Sequence, residues 1–320
     1  MSARDGLPRL RARRRAGAER APHRPVPRLG ARTARGAAVK RHFTLVLQCP
    51  ERAGLVHAVT RFLAGYGCDI VEHQQFDDDV HGQLFLRTEF TAGAELTADE
   101  LNRAFAPVAV DFGMRFRFCA PTPDRILVMV SKAGHCLNDL LFRWRAGSLG
   151  GDIALVVSNH EDLRPMAEAS GVPFAYVPVT PDGKAEAEQR LLDLAGEYRV
   201  DLVVLARYMQ VLSDGLCQKL QGRAINIHHS FLPGFKGAKP YHQAYDRGVK
   251  YVGATAHYVT AELDEGPIIE QEVQRVDHSH SPRSLATVGR DAEALALSRA
   301  VRWHCQRRVL LAGTRTVVFR

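Results

Sequence analysis

Between residues 126 and 205 the chain alternates short apolar runs with helical spacing, which limits the folds open to it. Four apolar runs, predicted as strands, occupy residues 126–130, 153–157, 174–177 and 202–205. They lack polar alternation, which is typical of strands covered on both faces. Helical spacing separates them at Leu137, Leu140, Leu141 and Trp144, near residues 162–169, and at Leu191, Leu194, Ala195 and Tyr198. This order predicts an α/β fold with a doubly wound, mostly parallel, Rossmann-like sheet.

A different pattern precedes this part of the chain. Strands are predicted at residues 43–48, 69–76, 83–90 and 114–118, with helices from Leu55 and over 97–106. Their order, βαββαβ, is the ferredoxin-like arrangement. The aspartates at 77–79 are predicted as a solvated turn and residues 120–124 as a linker. A helix over 283–305 and a hairpin over 308–319 are predicted to end the chain.

The first 40 residues form a third part with its own composition. They hold 11 Arg and one Lys against two acidic residues, a net charge of +10, while the whole chain carries +8. The remainder therefore carries −2, which argues against a nucleic-acid footprint on the folded part. Arg-, Ala- and Pro-rich composition predicts disorder over 1–40. A basic arm, a transit peptide and a translated upstream region are the alternatives, and the prolines favour an inert tail or an upstream region.

The predicted domains are therefore a disordered extension over 1–40, a βαββαβ domain over 41–120 and an α/β domain over 121–320. The apolar fraction of 46% and the charged fraction of 24% are ordinary for a globular protein. No apolar run is long enough for a membrane span. Six scattered cysteines form no CxxC pair, which predicts reduced thiols and a cytoplasmic location.

The chemistry is concentrated after the last parallel strand. Asn226 and His228 are two residues apart at the end of a short apolar run, so on a strand both side chains lie on one face. Asp264 follows 36 positions after His228. An amide can donate to an oxyanion, an imidazole can move a proton near neutral pH, and a carboxylate can orient water or the imidazole. Polar groups at the carboxyl end of a strand mark the ligand edge of such sheets.

Structural explanations compete with this hypothesis. A single loop histidine is more often structural than catalytic, but Asn226 and Asp264 reverse that expectation for His228. His229 should face away from His228 and serve in packing. Opposed histidines are poor joint zinc ligands, so we expect no metal. His135 and Cys136 are expected in a turn and the core.

These residues resemble two known families. Residues 125–277 resemble the formyltransferase domain shared by glycinamide ribonucleotide transformylase, methionyl-tRNA formyltransferase and formyltetrahydrofolate deformylase, with Asn226, His228 and Asp264 at its catalytic positions. Residues 43–118 resemble an ACT domain, a small-ligand regulatory module, with Glu51 where that family usually has Asp. An ACT domain ahead of a formyltransferase domain resembles the formyltetrahydrofolate deformylase family, whose form of the loop is His228-His229-Ser-Phe-Leu-Pro.

The resemblance implies an activity and its binding residues. It implies hydrolysis of 10-formyltetrahydrofolate without a cofactor, with the formate supporting purine synthesis. It also implies regulation by methionine and glycine, and a homo-oligomer. The implied folate-binding residues are Met209, Gln210, Val211, Leu212, Gly237, His257 and Leu263. The implied effector-binding residues are Arg52, Gly54 and Leu55.

The loop at residues 131–137 favours hydrolysis over transfer. The ribonucleotide transformylases carry a Gly-rich phosphate loop here, but this chain keeps only Gly134, followed by His135 and Cys136. Side chains hinder the close backbone approach that a phosphate needs. Two alternatives remain: a folate-dependent transferase with an amine acceptor, and a non-enzymatic amino-acid sensor.

Overall fold

The structure is a computed structural model that describes residues 40–232 and 240–320. The predicted disorder over 1–40 falls almost entirely outside the described residues. The first sheet and its helices comprise β1 (Lys40–Pro50), α1 (Leu55–Gly65), β2 (Asp69–Asp78), β3 (Gln83–Gly93), α2 (Ala98–Phe112) and β4 (Arg115–Cys119). The strands are antiparallel in the order β2-β3-β1-β4. The observed element order is the predicted βαββαβ.

The two helices bury regular apolar faces against this sheet. Leu55, Val59 and Leu63 of α1 are buried, as are Leu101, Phe105 and Ala109 of α2. A capping box of Thr97 and Glu100 begins α2, and Gly113 in the left-handed region ends it. The helix therefore continues six residues beyond the predicted 97–106, across Pro107.

The predicted solvated turn at 77–79 is wrong in part. Strand β2 extends to Asp78, which pairs with Gln83, so the turn follows it. The Asp78 side chain is buried and accepts hydrogen bonds from His81 and from Arg315 of the C-terminal hairpin. Arg315 is far along the chain, so the local sequence pattern does not reveal the partner that allows this carboxylate to be buried.

The second sheet follows with its helices. Its elements are β5 (Asp124–Val130), α3 (His135–Arg145), β6 (Gly151–Ser158), α4 (Arg164–Ala169), β7 (Phe174–Tyr176), α5 (Lys184–Glu197), β8 (Leu202–Leu205), α6 (Asp214–Lys219), β9 (Ala224–His228), α7 (Pro240–Asp246), β10 (Tyr251–Tyr258), β11 (Ile268–Arg275) and α8 (Pro282–Cys305). The strand order is β11-β10-β9-β8-β5-β6-β7. Strands β5 to β9 are parallel, and β10 and β11 are antiparallel additions. The mostly parallel α/β sheet is confirmed.

The direction in which strands are added to this sheet reverses at β5. From β5 the chain adds β6 and β7 on one side, then returns to add β8 and β9 on the other. Such a reversal separates the loops at the carboxyl ends of the strands, where α/β proteins bind ligands. Asp124, predicted in a linker, instead begins β5. Its side chain is buried, and its carboxylate accepts two hydrogen bonds from Arg307.

The chain ends in the predicted hairpin, formed by β12 (Val309–Ala312) and β13 (Arg315–Val318). Leu310 and Phe319 share a small core with Phe85 of β3, so the hairpin packs against the first sheet. All six cysteines are free. Within the two described ranges, no helix has the length and apolarity that crossing a bilayer requires.

Candidate active site

A cavity of about 250 Å³ opens at the carboxyl ends of β8 and β9. Three stretches of the chain line it, together with Cys217 of α6: residues 205–212 from the last residue of β8, residues 226–229 at the end of β9, and residues 257–264 at the end of β10. Ala206 and Tyr258 are the members of these stretches that do not reach the cavity. All three predicted catalytic residues line this cavity.

His228 and Asp264 form the centre of the site. The Nδ1 atom of His228 lies 3.2 Å from Oδ1 of Asp264. The hydrogen bond from His228 lowers the pKa of Asp264, against the effect of partial burial. The carboxylate is therefore charged near neutral pH, and it fixes the His228 tautomer with hydrogen on Nδ1.

The other ring nitrogen of His228, Nε2, can act as a base. Its Nε2 atom is buried and has no hydrogen-bond partner among the described residues. An unpaired buried polar atom costs about 1–3 kcal/mol, so native proteins rarely keep one without a use. With Nδ1 donating to Asp264, Nε2 carries the lone pair that can accept a proton from water.

Asp264 reaches His228 because of an unusual backbone turn. Its φ of 59° lies in the left-handed region, which Asp and Asn tolerate better than most residues. Two residues later, a Cβ on Gly266 would lie 1.7 Å from the carbonyl oxygen of Tyr258. Only glycine fits there, so Gly266 lets the loop close against β10 and present Asp264 to the cavity.

Asn226 is oriented by His257. The Nδ1 atom of His257 is 2.9 Å from the carbonyl oxygen of Tyr258. A carbonyl only accepts, so Nδ1 carries the hydrogen, and Nε2 accepts from Asn226 Nδ2 at 3.2 Å. Burial lowers the pKa of His257, which keeps this ring neutral. One amide hydrogen of Asn226 is therefore donated to His257, and the other can be donated to a different group.

Residues 207–212, here called the wall segment, give the cavity an apolar side. Met209 and Val211 each expose 58% of their surface, and Leu263 on the opposite loop exposes 63%. Gln210 and Leu212 also line the cavity, whereas Gly237 lies outside the described residues. Exposed apolar side chains on two sides of a cleft suit a flat, largely apolar ligand.

Comparisons with known proteins identify the family. A sequence profile described as "Formyl transferase" matches residues 124–301. A formyltetrahydrofolate deformylase from Corynebacterium sp. (strain P-1) is 54% identical over 278 residues, covering 86% of this chain and 97% of the relative. The chain belongs to the formyltetrahydrofolate deformylase family. The aligned length exceeds the part that forms the second sheet, so the relationship extends into the βαββαβ part.

Further members of the family support the assignment. The Bacillus subtilis formyltetrahydrofolate deformylase is 46% identical over 278 residues, covering 86% of this chain and 93% of the relative. The crystal structure of the Burkholderia mallei formyltetrahydrofolate deformylase superposes with a TM-score of 0.83 at 52% identity, covering 88% of this chain and all of that one.

The structure corrects the prediction for His229. Strand β9 ends at His228, so the alternation that would turn His229 away no longer applies. The His229 ring lies 4.9 Å from the His228 ring and lines the same cavity. Burial and the charge of Arg207 lower the pKa of His229 to about 4, so this imidazole is neutral at pH 7.

Sequence reasoning also missed Arg207, which lines the cavity of this deformylase-family chain beside His229. Its backbone φ of 66° is left-handed, and its side chain reaches Glu293 on α8. The available signal was its place at the start of the wall segment.

Proposed function

We propose that this protein hydrolyses 10-formyltetrahydrofolate to formate and tetrahydrofolate. The observation that carries the proposal is the His228–Asp264 pair: His228 Nε2 has no partner among the described residues, and the oriented Asn226 amide lines the same cavity. The names of the family's members support the substrate. The formate released would supply purine synthesis.

The first step adds water to the formyl carbon. His228 Nε2 takes one proton from the water as its oxygen attacks, and Asp264 stabilises the imidazolium that results. The carbonyl oxygen becomes an oxyanion. The second amide hydrogen of Asn226, positioned by the bond to His257, donates to that oxygen.

The second step breaks the bond between the formyl carbon and N10 of the folate. The imidazolium of His228 returns its proton to N10 as the electron pair moves there, which releases tetrahydrofolate. The remaining formic acid loses a proton to solvent and leaves as formate. The balance is one water consumed, and His228 and Asp264 end in their starting states.

A formate assay without an amine tests this function. We expect purified protein to release formate and tetrahydrofolate in equal amounts, with no dependence on added glycinamide ribonucleotide or another amine. Transfer of the formyl group to an amine, with no formate released in its absence, would establish the transferase alternative instead. The loop before α3 supports hydrolysis, because His135 begins that helix and is bonded to Glu293, so the loop is not an open phosphate cradle.

We further propose that the βαββαβ part is an ACT domain that binds methionine or glycine, and that the protein is a cytoplasmic homo-oligomer. Gly54 has a φ of 88° and precedes α1, whose first backbone N–H groups could hold a carboxylate. Leu55 contributes only its backbone, because its side chain is buried in the core. Arg52 already donates to the Asp111 carbonyl, with its guanidinium over the Phe112 ring.

Effector titrations test the regulatory proposal. Gly54→Val should weaken the response of the hydrolysis rate to methionine and glycine while the catalytic residues keep basal turnover. Because valine is strained at this φ, thermal melts must accompany the titrations. An Arg52→Gln variant, which leaves the turn intact, separates the two effects: unchanged effector curves in both folded variants would reject the site.

A further inference from the structure

A buried carboxylate outside the catalytic residues gathers three side chains beside the cavity. Glu293 on α8 is 1% exposed. Its Oε1 accepts from the Tyr241 hydroxyl at 2.7 Å, and its Oε2 accepts from His135 Nε2 at 2.7 Å. Arg207 Nε lies 3.3 Å from the same Oε2, as an ion pair rather than a directed hydrogen bond.

These contacts keep Glu293 charged. Burial alone would raise its pKa, but the hydrogen bond from His135, the charge of Arg207 and the hydrogen bond from Tyr241 together lower it. Tyr241 approaches this closely because residue 289 is glycine: a Cβ there would lie 2.0 Å from the tyrosine oxygen. The cluster thus joins four distant parts of the chain in one fixed arrangement.

A metal ion is the first alternative for such a cluster. His135, Cys136 and Glu293 offer ligand atoms within 4.8 Å of one another. However, the guanidinium of Arg207 already forms an ion pair with Glu293 Oε2. Burial and the nearby Glu293 charge raise the pKa of the Cys136 thiol, so it stays protonated and a poor ligand. The arrangement is that of a hydrogen-bonded ion pair.

Arg207 connects this cluster to the cavity. It begins the wall segment in a left-handed conformation that L-residues rarely adopt without support. Two more anchors hold this part of the chain: Met209 N–H donates to Ser131 Oγ at 3.1 Å, and the N–H of Ser213, the residue after the segment, donates to Glu188 at 2.7 Å. The segment is therefore pinned at both ends and once between, while Met209 and Val211 remain open to ligand.

We propose that Glu293 is a positioning residue of the active site, which acts through Arg207 to fix the wall segment for the folate ring. The proposal rests on the proposed function, because folate is the ligand whose binding it concerns. A residue that prepares the wall rather than the reacting atoms should affect substrate binding more than the chemical step.

Glu293→Gln tests the role with nearly the same shape and no charge. We expect KM for 10-formyltetrahydrofolate to rise about tenfold, equivalent to about 1.4 kcal/mol, with kcat changed less than about threefold. Glu270→Gln is the matched control, because Glu270 is also a buried carboxylate near arginines, but its partners Arg299 and Arg320 do not line the cavity. It should lower the melting temperature without changing KM. Equal KM effects in both variants, or a loss confined to kcat, would overturn the proposal.

A double-mutant cycle shows whether Glu293 acts through Arg207. In an Arg207→Gln background, Glu293→Gln should raise KM no further, since the pair is already broken. Additive effects would refute the pathway. Tyr241→Phe, which keeps the Glu293 charge and removes one hydrogen bond, should change KM less than Glu293→Gln and provides a second test if that variant folds poorly.

Two readouts separate this proposal from the proposed function. Absence of formate release by the wild-type protein would reject hydrolysis. The role of Glu293 is judged from the ratio of the variant KM to the wild-type KM. It is also judged from binding titrations with tetrahydrofolate, which need no turnover. Equal tetrahydrofolate affinity in Glu293→Gln and wild type would reject the positioning role even if hydrolysis is confirmed.

Discussion

Replacing Asp264 with asparagine tests the central pair of the site. Asparagine has the same shape and tolerates the left-handed φ of 59°, so the backbone turn should survive. The change removes the negative charge 3.2 Å from His228 Nδ1. It also allows an amide N–H to face Nδ1, which would place the imidazole hydrogen on Nε2 and leave no base toward the cavity.

The expected loss follows from those two effects. Loss of general acid–base help lowers turnover by about 10²–10⁴-fold, or about 3–5 kcal/mol in activation free energy. KM should change little, because the apolar walls remain. Thermal stability should also be nearly unchanged, since the carboxylate is partly exposed and asparagine keeps the fold of the loop.

Stopped-time formate assays and thermal melts together measure the outcome. Glu262→Gln is the control, because Glu262 lies in the same loop, lines the same cavity and loses the same charge without contacting His228. It should retain turnover within a few-fold of wild type. Near-normal formate release by Asp264→Asn, or an equal loss in Glu262→Gln, would refute the assigned role of the His228–Asp264 pair.

Three further predictions address other parts of the molecule. Asn226→Ala should lower kcat about 10²–10³-fold with a smaller change in KM, since one oxyanion donor is lost; steady-state kinetics would show the reverse if Asn226 only binds substrate. Burial lowers the pKa of His304 to about 4, so the unfolded chain binds the proton first and stability falls as pH drops from about 6.5 toward 4. The loss should approach about 3 kcal/mol, and denaturant unfolding of His304→Gln should show a shallower pH dependence. A protein that begins at Lys40 should keep wild-type activity and melting temperature, and a loss of either would show that the preceding segment contributes to the fold.

Local patterns predicted most of the fold. Each apolar run between 126 and 205 became a strand of the parallel sheet. The inner strands β5, β6 and β8 are covered on both faces, whereas the edge strand β7 is only partly buried. The spacing in helix α1 predicts one face of Leu55, Val59, Phe62 and Leu63; three of them are buried in the core, and Phe62 is partly buried against it. These features depend on neighbours within a few residues, so a single sequence displays them.

Features that depend on distant partners were not predictable in this way. Strands β10 and β11 were not assigned as elements, because antiparallel edge strands carry mixed composition and are defined by their pairing with β9. The burial of Asp78 and Asp124 requires Arg315 and Arg307, which lie far along the chain.

The candidate site shows the same division. Asn226, His228 and Asp264 were identified from type, spacing and resemblance, and the structure brings them together. The partners that set their behaviour were not identified. The carbonyl that fixes the His257 tautomer belongs to Tyr258, and its direction follows from backbone geometry. The role of Arg207 depends on a left-handed φ, which no pattern of residues in the sequence predicts.

Three imidazoles surround the proposed reacting centre, and their surroundings assign them different tasks. His257 is buried and accepts from Asn226, and its lowered pKa makes it a neutral orienting group. His229 lies near the Arg207 charge, and its pKa of about 4 excludes it as a proton carrier at neutral pH. Of the three rings, His228 pairs its Nδ1 with a carboxylate, and its Nε2 has no hydrogen-bond partner in the part of the chain that the structure describes. A proton taken from water therefore resides on His228, from which the departing folate nitrogen can recover it. The other two rings could not hold that proton without displacing the bond to Asn226 or opposing the charge of Arg207.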